Sequence, residues 1–121
     1  SMFKSIALLK CKEGLSRADF IDYYETQHAP LICSLLPQVC GYRRNFLRAE
    51  GAFINASAAE PDYDVITELW FADKAAYGAA MLLCADPVIA QKIADDEAHF
   101  LNRAHTRMFQ VDEYCSVFTT E

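Results

Sequence analysis

Positive charge is scarce in this chain and never clusters. Eleven lysines and arginines stand against 17 aspartates and glutamates, a net charge of −6. The longest basic run is Arg43-Arg44. Nucleic acids and anionic membrane surfaces are bound through a positive footprint, so neither is an expected partner. Long apolar runs are missing too. Runs such as residues 6–9 and 31–36 fall far short of a membrane span. The first residues lack the charged-then-apolar layout of a signal peptide, and Ser1 ahead of Met2 reads as the remnant of a cleaved tag. No C-x-x-C occurs among Cys11, Cys33, Cys40, Cys84 and Cys115, which argues against a zinc site and a disulfide framework. Buried free thiols in a reducing cytoplasm are expected instead. Glycine-rich phosphate loops and metal-ligand spacings are also absent. The expectation is therefore no cofactor and no metal, with side chains carrying any chemistry.

What is present is material for a core. Hydrophobic residues make up 53% of the chain, with 8 Phe and 6 Tyr, so disorder is excluded and residues 2–121 read as one domain. Residues 2–10 read as a strand. Ser16 caps a helix over residues 17–28, with Asp19 three residues on. The apolar and aromatic positions Phe20, Tyr23 and Tyr24 follow at helical spacing. Residues 41–48 read as a second strand, residues 50–61 as a long loop, and residues 63–72 as the clearest strand. Asp73 and then Asp86-Pro87 open two further helices, the second carrying Val88, Ile89 and Ile93. A last strand covers residues 106–111 and extends to 114.

That order, β-α-β then β-α-α-β, is the split βαβ or ferredoxin-like plan: an α+β fold with a four-stranded antiparallel sheet and helices on one face. The third strand is apolar on both sides, with Val65, Leu69 and Phe71 pointing one way and Ile66, Trp70 and Ala72 the other. Its second face needs a cover. Two copies packed sheet to sheet into a shared barrel supply it, and two-fold dimers are the commonest assembly. The competing expectation is a monomer with a helix or tail folded over that face.

Residues 20–31, Phe-Ile-Asp-Tyr-Tyr-Glu-Thr-Gln-His-Ala-Pro-Leu, are the most informative stretch. The residue before a proline is pushed away from helical geometry, so the helix should stop near His28 or Ala29, and Pro30 should open a short second piece that Pro37 ends. Tyr24 and His28 lie four apart and share a face. An imidazole exchanges protons near neutral pH, and with a tyrosine beside it forms an acid–base pair. The alternative is that Tyr24 is core and His28 caps the last turn.

Tyr23-Tyr24 followed by His28-Ala29-Pro30-Leu31 after a short first strand resembles the signature of the EthD-like family, one of the dimeric α+β barrel proteins. Glu68-Leu69-Trp70-Phe71 running into Asp73-Lys74 is similar to that family's second half, as is Asp96-Glu97-Ala98-His99-Phe100-Leu101 before the last strand. The resemblance implies a ferredoxin-like fold, a barrel homodimer through the sheet faces, and a pocket for a small hydrophobic ligand between sheet and helices. Relatives in the superfamily include cofactor-free monooxygenases, lactone isomerases and polyketide cyclases. In them a histidine at this helix end faces the pocket, which nominates His28 as general base.

Three residues form the expected catalytic set: His28, Tyr24 and Glu68. Glu68 is a carboxylate in an otherwise apolar strand, sharing a face with Trp70 and needing a partner if buried. A salt bridge to Arg43 or Arg107 is the alternative. Trp70, Arg43, Tyr63 and His105 are the candidate substrate contacts. His105 and Arg107 compete with a barrel-interface role, and Tyr63 with plain packing. Asp95 and Asp96 precede His99 at helical spacing, which reads better as a solvated helix end than as a metal pair. The loop over residues 50–61 exceeds the usual hairpin connection of about two to five residues and could close over the pocket as a lid. Two functions fit. One is a small cofactor-independent enzyme acting on a hydrophobic carbonyl compound, through isomerase, cyclase or lyase proton transfer or monooxygenase chemistry. The other is a non-catalytic ligand-binding or accessory protein of a catabolic or polyketide-type pathway.

Overall fold

Strand alternation sets the architecture. In the computed structural model, which describes residues 2–119, β1 (Phe3–Leu9) buries Ser5, Ala7 and Leu9 while Lys4, Ile6 and Leu8 lie half-buried on the other side. β3 (Val65–Phe71) repeats the pattern with Val65, Thr67, Leu69 and Phe71. β2 (Val39–Phe46) pairs with β3, β3 with β1, and β1 with β4 (Arg107–Gln110), all antiparallel, in the order β2-β3-β1-β4. This is the expected ferredoxin-like plan. A bulge between Val39 and Gly41 offsets β2, and Gly41 lies so close to Trp70 that a Cβ there would stand 3.0 Å from the Trp70 Cβ.

The helices are started by the residues that foreshadowed them. Ser16 Oγ accepts the Asp19 N–H at 3.1 Å ahead of α1 (Arg17–Tyr23). Asp73 caps α3 (Lys74–Ala85) through the Ala76 N–H at 2.8 Å. Asp86 caps α4 (Pro87–Glu97) through the Val88 and Ile89 N–H groups at 3.0 and 3.2 Å. Each such side-chain acceptor satisfies backbone donors that the helix start leaves free.

Pro30 does not break the chain where the pre-proline rule expects it. Ala29 keeps helical angles (φ −61°, ψ −44°), and α2 (Ala29–Leu35) follows α1 without interruption. A π-helical turn over Tyr24–His28 makes this passage feasible, with the Ala29 N–H reaching back five residues to the Tyr24 carbonyl. Proline clashes with the carbonyl four residues before it in a regular helix, and a widened turn relieves that clash.

The core under the helices centres on Phe20, Tyr24, Val65, Phe71 and Phe100, all essentially inaccessible. Each such aromatic or aliphatic side chain contributes about 1.5–3 kcal/mol by burial. Three expectations need correction. β4 stops at Gln110: Val111 still donates to the Lys4 carbonyl at 3.3 Å, and no further backbone hydrogen bond follows it among the described residues. The tail beyond it does not fold over the open sheet face: Tyr114, Val117 and Phe118 are almost fully exposed. The cysteines are free but not buried, with Cys33, Cys40 and Cys115 exposed and Cys11 and Cys84 half-buried.

Candidate active site

A cavity of about 120 Å³ lies between the sheet and the helices. Its wall is largely aliphatic, including Leu9, Ile32, Leu36, Leu69 and Ile93, and polar groups enter it at a few points only. His28 and Tyr24 both line it, brought there by the π-helical turn that also carries the chain past Pro30. Turns of this kind recur at functional sites because they rotate side chains off the regular helical register.

The histidine is only 4% exposed, and its Nδ1 lies 2.7 Å from Asp96 Oδ2. The second oxygen of Asp96 accepts the Tyr23 hydroxyl at 2.7 Å. A carboxylate only accepts, so the proton of the His28–Asp96 bond sits on Nδ1, leaving Nε2 as the ring's second nitrogen. That nitrogen makes no hydrogen bond to any described residue. Phe100 packs 4.9 Å from the imidazole centroid and fixes the ring plane from behind. Burial first, then the hydrogen bond and charge of Asp96, push the Tyr23 phenol up to about 12, so it stays a donor.

Three hydroxyls form a second polar group in the cavity. Tyr42 donates to the Tyr24 oxygen at 3.1 Å, and Tyr24 shares a 2.7 Å hydrogen bond with Thr67 Oγ1. Burial raises both phenols above their ordinary range, that of Tyr42 far above. Both are therefore neutral donors at physiological pH. Glu97 also reaches the wall, its carboxylate held by Arg103 Nε at 3.1 Å.

The other expected site residues lie elsewhere. Glu68 and Trp70 point to the opposite face of the sheet, because they alternate with the buried Thr67 and Leu69. Glu68 does not pair with Arg43 or Arg107. Its partners are Lys4 Nζ at 3.1 Å, Asn45 Nδ2 at 3.2 Å and Trp70 Nε1 at 3.2 Å. Burial opposes its charge, yet these three donors hold the carboxyl below the usual glutamate range. Arg43 stacks its guanidinium 5.0 Å from the Trp70 ring centre instead of facing the cavity. Tyr63 lies under the Arg107 guanidinium, and His105 sits in a 3-10 turn (Arg103–His105), 3.5 Å from Asp62. The loop is no lid: Phe53 and Ile54 line a separate groove with Arg17 and Leu47, and no residue of 50–61 lines the His28 cavity. Among the described residues no cluster of three potential metal ligands occurs.

Asp96 is the residue that sequence reasoning placed wrongly, as part of a solvated helix end. Its only signal was its place in the Asp96–Leu101 stretch similar to the EthD-like pattern.

The EthD domain profile matches residues 12–104. The chain belongs to the EthD domain family. Solved structures agree on the fold of this EthD domain. An EthD family protein from Bacillus halodurans C-125 is 18% identical and superposes with a TM-score of 0.62, over 94% of this chain and 100% of that one. A DABB family protein with a ferredoxin-like fold from Mesorhizobium loti MAFF303099 is 12% identical, with a TM-score of 0.62 over 94% and 98% of the two chains. A dimeric ferredoxin-like protein of unknown function from Thermobifida fusca YX is 15% identical, with a TM-score of 0.56 over 91% and 89%. No curated protein matches the EthD domain described here.

Proposed function

We propose that this EthD domain is a proton-transfer enzyme for a small, neutral, apolar carbonyl compound, using no cofactor and working as a homodimer. The observation that carries the reading is the buried His28–Asp96 pair at 2.7 Å, whose imidazole lines an aliphatic cavity. Asp96 fixes the tautomer, so Nε2 is the base. It removes a proton from the carbon next to the carbonyl, and the hydroxyls of Tyr24, Tyr42 and Thr67 lie in the same wall to receive the negative charge that moves onto oxygen. Return of the proton to another carbon gives an isomerisation. Attack of the enolate carbon on a second carbonyl within the ligand gives a cyclisation, with the proton delivered to the new alkoxide.

Cavity size limits the ligand. An apolar cavity of roughly 150 Å³ holds benzene, so about 120 Å³ suits a ligand, or the buried end of one, of comparable size. Charge limits it further, since no lysine or arginine lines the wall while Glu97 does. Dimerisation is supported by the half-buried apolar groups Ile6, Leu8 and Ile66 on the open sheet face and by the dimeric state of the structurally similar Thermobifida fusca protein.

The test is exchange in deuterated buffer. Cyclopentanone incubated with the protein should gain deuterium next to its carbonyl, followed by proton NMR. His28→Ala should lower that rate by about 10²–10⁴, the usual worth of a positioned base. Asp96→Asn should lower it while leaving binding intact. Binding of the ketone without exchange above buffer would overturn catalysis and assign the cavity to ligand holding. Light scattering showing monomers at micromolar concentration would overturn the dimer.

A further inference from the structure

We propose that a surface depression at the end of β1, lined by Lys10, Lys12 and Arg17, binds the carboxylate of a straight-chain aliphatic acid whose chain lies in the adjoining groove. The depression measures about 370 Å³, against about 120 Å³ for the His28 cavity, a size ordinary for small-molecule sites. No residue lines both, so the inference does not depend on the proton-transfer reading.

The site is already built. Leu15, Phe20 and Phe46 supply its apolar lining, and Phe20 is only 1% exposed. Backbone hydrogen bonds tie the surrounding segments together. The Lys12 N–H donates to the Phe100 carbonyl at 2.9 Å, the Asn102 N–H to the Lys10 carbonyl at 2.9 Å, and the Asp64 N–H to the Leu9 carbonyl at 2.8 Å. Asp64 Oδ2 also accepts the Cys11 N–H at 2.7 Å. A frame fixed in this way loses little freedom when a ligand enters.

Charge selects the head group. Basic residues never exceed two in a row along the chain, yet the fold sets Lys10, Lys12 and Arg17 around one depression. No ion pair among the described residues includes any of them. Lys4, Arg44, Arg103 and Arg107, in contrast, each hold a carboxylate. Glu13 and Asp64 share the lining, so the positive excess is a single charge. A monocarboxylate matches it, and a phosphate dianion overshoots it. Ammonium and guanidinium groups give a carboxylate charge-assisted hydrogen bonds. Arg17 Nε and Nη2 donate to the Leu47 carbonyl at 3.3 and 3.2 Å, which holds the guanidinium in place and leaves Nη1 for the ligand.

The groove selects the tail. It shares Arg17, Leu47 and Asp64 with the depression and continues past Phe53, Ile54 and Pro61. Phe53 is 88% exposed and Ile54 47%. Arg48 and Glu60, one of each sign, add no net charge there. A cationic end that opens into apolar surface fits an amphipathic monoacid.

The test is isothermal titration with decanoate, decan-1-ol and propionate. The proteins are the parent and the Lys10→Glu/Lys12→Glu and Phe53→Ser/Ile54→Ser variants, with circular dichroism to verify folding. Decanoate should bind the parent saturably below its micelle concentration. Decanol lacks the charge and propionate lacks the chain, so each should bind about tenfold or more weakly. Both variants should weaken decanoate by about tenfold or more. Decanoate should also shift the amide NMR signals of residues 10–17 in the parent. Deuterium exchange into cyclopentanone should be the same in both variants, because none of the four substituted residues lines the His28 cavity. Absence of saturable decanoate binding, equal affinity for decanol, or unchanged decanoate affinity in either folded variant would overturn the site. The comparison of ligands on the parent decides the matter even where a variant misfolds. None of these outcomes bears on the proton-transfer reading, which rests on the parent's exchange rate.

Discussion

The two faces of the sheet use polar groups in opposite ways. Under the helices, His28, Tyr24, Tyr42 and Thr67 sit among aliphatic and aromatic walls, each held by one or two short hydrogen bonds. On the open face, Lys4, Arg43, Asn45 and Glu68 gather around the single Trp70 ring, with the Lys4 ammonium 4.5 Å from its centre. The first arrangement is enclosed, so a missing partner there is costly, and His28 Nε2 makes no hydrogen bond to any described residue. The second is half-solvated, and its charges neutralise one another. Polar residues in a strand therefore point to chemistry only when the face they occupy is known.

The comparison is sharpest for side chains that serve as walls. Phe100 is fully buried against His28, Tyr24 and Phe20. Phe100→Ala should lower unfolding stability by about 3–5 kcal/mol in urea titrations, the range for a large-to-small core change. Ile66→Ala on the open face should cost clearly less in dilute monomer and show its effect chiefly as weaker self-association. Equal losses for both in the monomer would break the distinction.

That distinction also explains what could be read from sequence. Alternation in residues 63–72 identified a two-faced strand, and the caps Ser16, Asp73 and Asp86 marked three helices, because these signals are local. Which face of β3 the helices cover is not local. Glu68 and Thr67 are adjacent in the chain, and nothing in their neighbours says that threonine meets Tyr24 while glutamate meets Lys4. The His28–Asp96 pair spans 68 positions and depends on how α4 lands beside the π-helical turn. The turn itself was hidden because no local signal marks it: Ala29 keeps helical angles against the pre-proline preference, and the widened turn relieves only the clash with the carbonyl four residues back.

A second pair of substitutions sets one hydrogen bond on each face against the other. Thr67→Val preserves shape and removes the 2.7 Å partner of the buried Tyr24 hydroxyl, which should cost about 1–3 kcal/mol. Glu68→Gln retains hydrogen-bonding capacity and loses only charge in a half-solvated network, so its cost should stay below about 1 kcal/mol. Urea unfolding of both at pH 7 checks the order, and a larger loss for Glu68→Gln would reverse the reading of the two faces.

The smallest expected effect lies at the rim between buried and solvated regions, where Arg44 joins both. Its guanidinium stacks 4.7 Å from the Tyr42 ring centre and binds both Glu25 carboxylate oxygens at 2.7 Å. The Arg44 hydrogen bonds hold the Glu25 carboxyl below its ordinary value of 4.5, against a smaller opposing effect of burial. A carboxyl lowered on folding adds stability above its unfolded-state value and loses it as pH falls through the folded one. Solvent reaches 38% of the Glu25 side chain, so screening keeps the contribution below about 1 kcal/mol. Unfolding free energy measured from pH 6 down to pH 3 should therefore fall slightly more steeply for the parent protein than for Glu25→Gln. Parallel curves would mean that Arg44 is held by the Tyr42 ring and the Tyr42 carbonyl, 3.1 Å from its Nη1, and that the rim belongs with the buried face.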